Sequence, residues 1–370
     1  MSTSSVTTAS CCAVQIEYLE TANLPGAMNA ELGVHKALKS PSNRAGFLSQ
    51  TKTGEGAPIS GSGCQLQLKL IAPECEDSSN VSNLCNDATA AAGSPYKVTQ
   101  FQFVKADDNK GFVAKFTEDE FRCACEKQSQ VVPAVMDAKM KKILIDEEVA
   151  LITALWGCAG DYCNGVASGT DATVKTLNIF GEDGNFAQAA GWWGAQEQLN
   201  SMGFTGKPII IGGSAVKKYM YLSKYSGGGA NSIGGQVFTD SNSPYDFYYS
   251  SEWDRTVPTL MSGSGDYCLV LAPGVSQLIE YFDNVGSYQR KTPTNLRTTI
   301  QKPIDGESYT FDYRMLYDEG CESWKNEINR MAGVFCLPSD YYCSWVVGNG
   351  RMMFKLGCGP VGCETGCVAA

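Results

Sequence analysis

The spacing of hydrophobic positions predicts one dominant helix near the middle of the chain. Thr117 followed by Glu120 has the form of a capping box, and Gly157 that of a C-terminal stop. Proline removes a helical hydrogen bond and clashes one turn back, so we expect a break or kink at Pro133 and a rod of roughly 37 Å beyond it, at about 1.5 Å per residue. The apolar residues at helical spacing are Met136, Met140, Ile143, Leu144, Leu151, Ile152 and Leu155.

Alternating patterns predict strands on both sides of this helix. The runs CQLQLKLIAP (64–73) and YKVTQFQFVKA (96–106) predict two strands joined by a loop of roughly 20 residues, which is long enough to form a functional projection. Further strands are expected at Thr173–Phe180, in DFYYSSEW (246–253), and in three C-terminal runs. These runs are GESYTFDYRMLYDEG (306–320), EINRMAGVFCLPS (327–339) and NGRMMFKLG (349–357).

The patterns of two segments each predict a buried strand, followed by a tight turn and a helix. KPIIIGGSAVKKYMYLSKY (207–225) predicts a strand at Pro208–Ile211 and a helix from Ser214, and DYCLVLAPGVSQLIEYFDNVG (266–286) repeats the theme. Together they predict a compact α/β layer over residues 203–295. An amphipathic helix is expected at 187–203, where one of the adjacent Trp192 and Trp193 packs inside and the other packs against a neighbour.

The N-terminal segment, residues 1–55, is rich in Ser, Thr, Gly and Asn and predicts an extended arm with little core. A short helix from Ala27 to Leu38 is consistent with its pattern. The single histidine of the chain, His35, lies in this segment and is expected to be a solvated surface residue.

Composition and charge exclude several classes of protein. With 370 residues, 43% hydrophobic and 18% charged, the chain can form two or three globular domains. A net charge of −10 argues against a sequence-reading DNA or RNA binder. No stretch approaches about 18 uncharged apolar residues, so no membrane span is expected. The N-terminus lacks the basic start and apolar core of a secretory signal.

The sixteen cysteines form no CxxC motif, so the strongest zinc signature is absent. Packing as reduced thiols is the favoured interpretation. Two clusters leave a metal site open, Cys158 with Cys163, and Cys358 with Cys363 and Cys367. The second cluster is also where disulfides are expected if the protein leaves a reducing cell.

Searches for catalytic and binding motifs predict no catalytic, cofactor-binding or metal residues and no cofactor. A single histidine removes most triad and histidine-ligated schemes. Gly357, Gly359 and Gly362 match GxGxxG, but no helix can follow them. The turn Gly212-Gly213-Ser214 could cradle an anion, although a tight turn with Ser214 as N-cap is favoured.

The acidic residues of the long helix are predicted to be structural. Neighbouring members of the triplets 118–120 and 146–148 should splay apart on a helix. Asp137 with Lys141, and Lys142 with Asp146, have the spacing of a solvated salt-bridged face. Glu148 lies near the apolar stripe and is interpreted as an interface residue.

The order of arm, projecting hairpin, long helix, α/β layer and returning strands resembles the major capsid protein of tailed bacteriophages. This is the α+β Hong Kong 97-type fold that encapsulin shells share. Residues 207–225 and 266–286 are similar to segments of capsid proteins from phages of Bacteroidetes. The resemblance implies an N-terminal arm (1–55), an extended β-hairpin loop (56–116), a peripheral domain with a spine helix (117–202), an axial domain (203–295), and a return to the peripheral domain with a C-terminal tail (296–370).

The resemblance also implies a function and a set of partners. The chain would self-assemble, as pentamers and hexamers, into an icosahedral virion shell around double-stranded DNA, without being an enzyme. Assembly would occur in the host bacterial cytoplasm with separate scaffold, portal and decoration proteins. The DNA contact would be non-specific, no membrane would be involved, and covalent Lys–Asn cross-linking is not expected. An encapsulin-like compartment, a tail-tube or decoration protein, and a cysteine- or metal-dependent enzyme are the alternatives.

Overall fold

The structure is a computed structural model that describes residues 31–43, 65–73, 96–104, 109–117, 128–159, 174–182, 184, 187–225, 243–261, 266–281, 291–292, 295–336 and 350–358. Its architecture is mixed α+β. The helices are α1 (Gly33–Lys39), α2 (Gln128–Cys158), a 3-10 turn (Ala189–Trp192), α3 (Trp193–Ser201), α4 (Ser214–Tyr225) and α5 (Trp253–Met261).

The strands form three separate sheets. In chain order they are β1 (Gln65–Pro73), β2 (Tyr96–Val104), β3 (Asn109–Thr117), β4 (Thr176–Phe180), β5 (Ile209–Gly212), β6 (Asp246–Tyr249), β7 (Asp266–Leu271), β8 (Ser276–Tyr281), β9 (Lys291–Thr292), β10 (Asn295–Ile304), β11 (Glu307–Asp318), β12 (Ser323–Cys336) and β13 (Arg351–Cys358). β1 and β2 pair as an antiparallel ribbon. A six-stranded sheet has the order β3-β12-β11-β10-β9, with β8 also on β12, and a five-stranded sheet has the order β4-β13-β7-β5-β6.

The long helix differs from its prediction at both ends. Thr117 is the last residue of β3, and Glu120, its partner in the proposed capping box, lies outside the described residues. α2 begins at Gln128 and runs for 31 residues, or about 46 Å at 1.5 Å per residue. It continues through Pro133, where a break or kink was expected, and it ends at Cys158, one residue beyond the predicted stop.

α2 contributes to two hydrophobic cores. Its first half packs with strands of the six-stranded sheet through Met136, Met140, Ile143 and Leu144, which meet Tyr309, Phe311 and Ile328. Its second half joins a larger core with the five-stranded sheet and helices α3, α4 and α5, through Leu151, Ile152, Leu155 and Trp156. One continuous helix therefore connects both layers of the molecule.

Most predicted strands are confirmed, including the pairing of the two runs before the long helix. β1 and β2 are antiparallel over their whole length, from Gln65 opposite Val104 to Pro73 opposite Tyr96. The loop between them lies outside the described residues. β4, β6, β7 and β11 fall within segments predicted to be strands, and β5, β12 and β13 overlap such segments.

The second strand-turn-helix unit is wrong in its last part. After β7 the chain turns at Gly274, which has a positive φ of 83°, and continues as β8 rather than as a helix. β8 pairs with β12 from Ser276 opposite Cys336 to Tyr281 opposite Met331. Pairing to a neighbouring strand overrides the helical preference of this short segment. α5 was missed, since Trp253 begins a helix where the sequence predicted the end of a strand.

Candidate functional site

The segment 31–43 is built into the core of the protein. Val34, Ala37 and Leu38 are fully buried in the larger core, so the prediction of an arm with little core is wrong for these residues. The short helix expected from Ala27 to Leu38 is present as Gly33–Lys39, and residues 27–30 lie outside the described ranges. The segment therefore forms a joint between α2 and the sheets.

His35 is fully buried between two consecutive glutamates of α2, which corrects its prediction as a surface residue. Its Nε2 lies 2.7 Å from Glu147 Oε1 and its Nδ1 lies 2.5 Å from Glu148 Oε2. The ring also packs edge-on against Tyr309, with 5.6 Å between the ring centroids. The two carboxylates converge on one imidazole, so the expectation that neighbouring acids splay apart is wrong for this pair.

Arg330 of β12 extends the cluster into the six-stranded sheet. Its Nε donates to Glu147 Oε2 at 2.8 Å, and Nη1 donates to the carbonyl oxygen of Thr310 at 2.8 Å. Its Nη2 donates to Glu280 of β8. Lys39, at the end of α1, lies 2.7 Å from the same Glu280 oxygen. The cluster thus links α1, α2, β8, β11 and β12, and we call it the charge network.

The charge network is balanced when His35 is protonated, because His35, Arg330 and Lys39 face Glu147, Glu148 and Glu280. Burial alone would lower the pKa of His35, but its contacts with the two α2 glutamates outweigh burial and raise the pKa to about 9. Burial would raise the pKa of Glu147, yet Arg330 and His35 lower it to about 2.

Carboxylates from elsewhere in the chain also satisfy the first backbone N–H groups of α1. The N–H groups of Val34 and His35 donate to the Glu148 carboxylate at 2.8 and 3.2 Å. The Leu32 N–H donates to Asp305 Oδ2 at 2.9 Å. Asp305 and Gly306 have φ values of 52° and 82° and form the turn between β10 and β11. Glu148 is thus an interface residue within the chain, which agrees with its interpretation.

The other end of the segment is fixed by Asn43, which is 2% exposed. Its Nδ2 donates to the carbonyl oxygens of Leu38 at 3.0 Å and Ser276 at 2.7 Å. Its Oδ1 accepts from the Gly274 N–H at 2.9 Å. Hydrogen bonds at both ends therefore hold α1 against the turn between β7 and β8 and against α2.

The charge network has the chemistry of a structural joint. Both ring nitrogens of His35 and both carboxylates of α2 are used in contacts within the network. Among the described residues no group of three or more His, Cys, Asp or Glu side chains is arranged to hold a metal ion. Arg330, Glu280 and Lys39 were not predicted from the sequence. The only sequence features that pointed to a buried charged cluster were the lone histidine and the paired glutamates near an apolar stripe.

The glycine turn before α4 is occupied by a carboxylate of the chain itself. Asp254 Oδ2 accepts from the Ser214 N–H at 2.9 Å. A Cβ added at Gly213 would lie 1.8 Å from Asp254 Oδ1, so glycine is needed to admit this side chain. Asp254, from the start of α5, performs the capping role that the sequence assigned to Ser214. It also fills the place that an external anion would take.

Other predicted residues are confirmed in part. Lys142 pairs with Asp146 at 2.6 Å, whereas Asp137 pairs with Lys302 of β10 at 2.7 Å instead of with Lys141. Trp192 is fully buried, and its neighbour Trp193 is 66% exposed. Whether Trp193 packs against another molecule stays a prediction.

The remaining candidates lie partly outside the described ranges. Cys158 and Cys358 are described, but Cys163, Cys363 and Cys367, their partners in the two predicted metal clusters, are not. Gly359 and Gly362 of the GxGxxG match also lie outside. Across the helices that the structure describes, none is both long and apolar enough to cross a membrane.

Comparisons with known proteins give matches at low similarity. No protein family and no curated protein sequence matches the chain. Among solved structures it is similar to one from Mycobacterium phage Adephagia (TM-score 0.44, 9% identity, covering 82% of this chain and 88% of that chain). It is also similar to the cyanophage A-1(L) capsid asymmetric unit (0.44, 11%, 81% and 90%) and to the asymmetric unit of the bacteriophage PhiM1 mature capsid (0.41, 9%, 82% and 85%).

Proposed function

We propose that the chain is the major capsid protein of a tailed bacteriophage with the Hong Kong 97-type fold. In this proposal it assembles into pentamers and hexamers of an icosahedral shell around double-stranded DNA. The observation that carries the proposal is the β1–β2 ribbon, which precedes a long helix and two layered sheets in the order of elements that resembles this family.

The ribbon needs a surface to pack on. Its two strands pair with each other over nine residues each and with no other strand of the described ranges. An isolated two-stranded ribbon is at best marginally stable in water, and it becomes stable when it packs on another element. A neighbouring copy of the chain can supply such a surface in a shell, where each subunit overlaps the next.

The long helix supports the proposal through its exposure. One side carries buried residues along the helix, such as Met140 and Ile152, while Lys142 on another side is exposed and pairs with Asp146. This is the pattern of a spine that lies along a thin subunit. A net charge of −10 suits a protein that must enclose DNA without binding it tightly.

In this proposal the chain is divided into the segments that the resemblance to the family implies. Residues 1–55 would be the N-terminal arm, 56–116 the extended loop, 117–202 and 296–370 the peripheral domain and tail, and 203–295 the axial domain. In this assignment the segment 31–43 anchors the arm to the spine helix. Scaffold, portal and decoration proteins would be separate partners. The source would be a phage that infects Bacteroidetes, and the protein would be located in the virion.

Assembly of the purified chain tests the proposal. We expect negative-stain microscopy to show uniform hollow particles, and native mass spectrometry of the unassembled fraction to show pentamers and hexamers. A chain that stayed monomeric under all conditions and bound stoichiometric metal would contradict the proposal and favour an enzyme. Particles isolated from the native source should contain genomic DNA, whereas a protein cargo would identify a compartment shell instead.

A further inference from the structure

Two cysteines meet where the long helix ends. Cys158 is the last residue of α2 and Cys336 is the last residue of β12. Arg351 bonds both the Cys158 carbonyl oxygen and the carbonyl oxygen of Val275, and Ser276, the next residue, lies opposite Cys336. This places the two cysteines close together at one joint, although they lie far apart in the sequence. A disulfide has an S–S distance of about 2.05 Å, so two neighbouring thiols can form one if their side chains approach each other.

The backbone on both sides of this contact is held in place. Arg351 Nε donates to the Cys158 carbonyl oxygen at 3.1 Å, and its Nη1 donates to the Val275 carbonyl oxygen at 2.8 Å. Ser276, the next residue, is the cross-strand partner of Cys336, and its Oγ lies 3.9 Å from Cys336 Sγ. The end of α2 is therefore fixed to the strands that present Cys336.

The surroundings make one thiol more reactive than the other. The hydrogen bond from Cys336 lowers the pKa of Cys158 against the opposing effect of burial, and Arg351 lowers it further, to about 7. The pKa of Cys336 is raised by its contact with Cys158 and by burial. Both residues are partly exposed, whereas Cys268 is fully buried in the core. A small reagent can therefore reach Cys158 while it carries thiolate character.

We propose that Cys158 and Cys336 are a site of oxidative modification and form a disulfide that fastens the end of the long helix to the six-stranded sheet. The oxidant is a small-molecule disulfide, such as oxidised glutathione, met outside a reducing cell. This site differs from the C-terminal cysteines at which the sequence predicted disulfides. The proposal concerns the single chain and does not depend on shell assembly.

The reaction proceeds by two exchanges. The Cys158 thiolate attacks one sulfur of the small disulfide, which forms a mixed disulfide and releases one small thiolate. Cys158 is then neutral and no longer raises the pKa of its neighbour. The Cys336 thiol loses its proton and attacks the Cys158 sulfur, which releases the second small thiolate. Two protein thiols are oxidised by two electrons, one small disulfide is reduced, and the two protons pass to the released thiolates.

Oxidation of the full chain, followed by peptide mapping, tests the proposal. The reduced protein is incubated with oxidised glutathione, remaining thiols are blocked with N-ethylmaleimide, and the protein is digested without reductant. We expect the peptides with Cys158 and Cys336 to be the main linked pair. We also expect a thermal midpoint several degrees above that of the reduced chain, because the bond closes a long loop in the unfolded state. Dithiothreitol should reverse both effects.

Two variants separate this bond from general thiol oxidation. Cys336→Ser should carry glutathione on Cys158 and lose the rise in thermal midpoint. Cys321→Ser removes an exposed cysteine from the turn between β11 and β12 and should keep both the linkage and the rise. The proposal is overturned if the unmodified sequence yields stable mixed disulfides at Cys158, or if Cys158 links mainly to another cysteine. Peptide mapping of the unmodified sequence gives that answer even if a variant fails to fold.

Discussion

At the scale of single residues, His35 shows how a buried charge can be used as a connector. The imidazolium is fully buried, and each ring nitrogen faces a different carboxylate of α2. A buried ion pair gains little net stability over apolar packing, but the loss of one partner leaves an uncompensated charge in the interior. The network therefore ties the position of α1 to α2, since a shift of this helix would remove His35 from both Glu147 and Glu148.

Replacing His35 should have a large effect on stability. His35→Gln keeps a hydrogen-bond donor but removes the positive charge between Glu147 and Glu148. We expect the free energy of unfolding to fall by about 3–5 kcal/mol, the usual cost of removing one partner from a buried pair. Urea unfolding, followed by circular dichroism, measures this change.

Two further variants show whether the effect comes from charge. Lys142→Ala breaks an exposed pair with Asp146 and should change the free energy of unfolding by no more than about 1 kcal/mol. His35→Gln with Glu148→Gln restores the charge balance, so the double variant should lose less stability than the two single losses added together. Additive losses would show that His35 and Glu148 are not coupled.

The stability of the protein should also depend on the charge of His35 as pH rises. The pKa of His35 is raised from 6.5 to about 9 by folding, so its contribution is fully present below pH 6.5 and is lost as pH rises through about 9. A shift of this size corresponds to about 3 kcal/mol. The difference in the free energy of unfolding between the natural sequence and His35→Gln should therefore shrink from neutral pH to pH values above 9.

At acid pH, the contribution of Glu147 to stability depends on pH in the opposite direction. Folding lowers the pKa of Glu147 to about 2, so its contribution to stability is present above pH 4.5 and is lost as pH falls through about 2.

The alkaline prediction for His35 has a clear contrary outcome. If the difference in the free energy of unfolding between the natural sequence and His35→Gln stayed constant from neutral pH to above pH 9, His35 would be neutral in the folded chain.

The charge network could be predicted from sequence only in part. Glu148 was recognised as an interface residue, because a carboxylate close to an apolar stripe needs a partner. His35 was not recognised, since the Ser- and Gly-rich context of residues 1–55 predicted no core. Its burial depends on Arg330 and on β8, which are distant in sequence and come together only through the pairing of β8 with β12. No local pattern contains that information.

At the scale of elements, α1 comes very close to the end of β6. A Cβ added at Gly33 would lie 2.3 Å from the backbone oxygen of Tyr249, at the end of β6. Glycine inside a helix is normally unfavourable by about 0.5–1 kcal/mol relative to alanine. Here glycine is required, because an alanine would push apart two backbone segments that a side-chain rotation cannot relieve.

A pair of glycine variants tests this contact. Gly33→Ala should lower the free energy of unfolding by about 1–3 kcal/mol through overpacking. Gly157→Ala, in the last turn of α2, meets no atom within 4 Å and should raise it by about 0.5–1 kcal/mol. Thermal unfolding of both variants in one buffer shows whether each substitution lowers or raises the stability of the protein. Stabilisation by both substitutions would contradict the close approach of α1 to β6.

The predictions for whole elements succeeded where the pattern is local and failed where neighbours decide. β5, β7 and β13 each contain a short apolar run, and all three occur close to their predicted positions. β8 was predicted to be helical because its residues fit either state, and its pairing with β12 decides the outcome. In the same way, Asp254 caps α4 from another helix, which no reading of the local sequence around Ser214 could supply.

At the scale of the whole molecule, two cores share one helix, and the ribbon belongs to neither layered sheet. α2 packs into the six-stranded sheet with its first half and into the larger core with its second half. β1 and β2 pair with each other and with no other strand that the structure describes. We therefore expect both cores to fold without the ribbon. This separation allows folding and assembly to be tested by one deletion.

Deleting residues 74–94, between β1 and β2, should abolish assembly while the subunit stays folded. The urea transition and the near-ultraviolet circular dichroism should match those of the intact chain, because the described residues of both cores lie outside the deleted segment. Sedimentation and negative-stain microscopy should then show monomers or small oligomers under conditions in which the intact chain forms particles. His35→Gln provides the opposite control, since it weakens folding and leaves the ribbon untouched. Particles of normal size from the deletion variant would show that the segment between β1 and β2 does not join subunits, and the surface for assembly would have to lie on one of the two layered sheets.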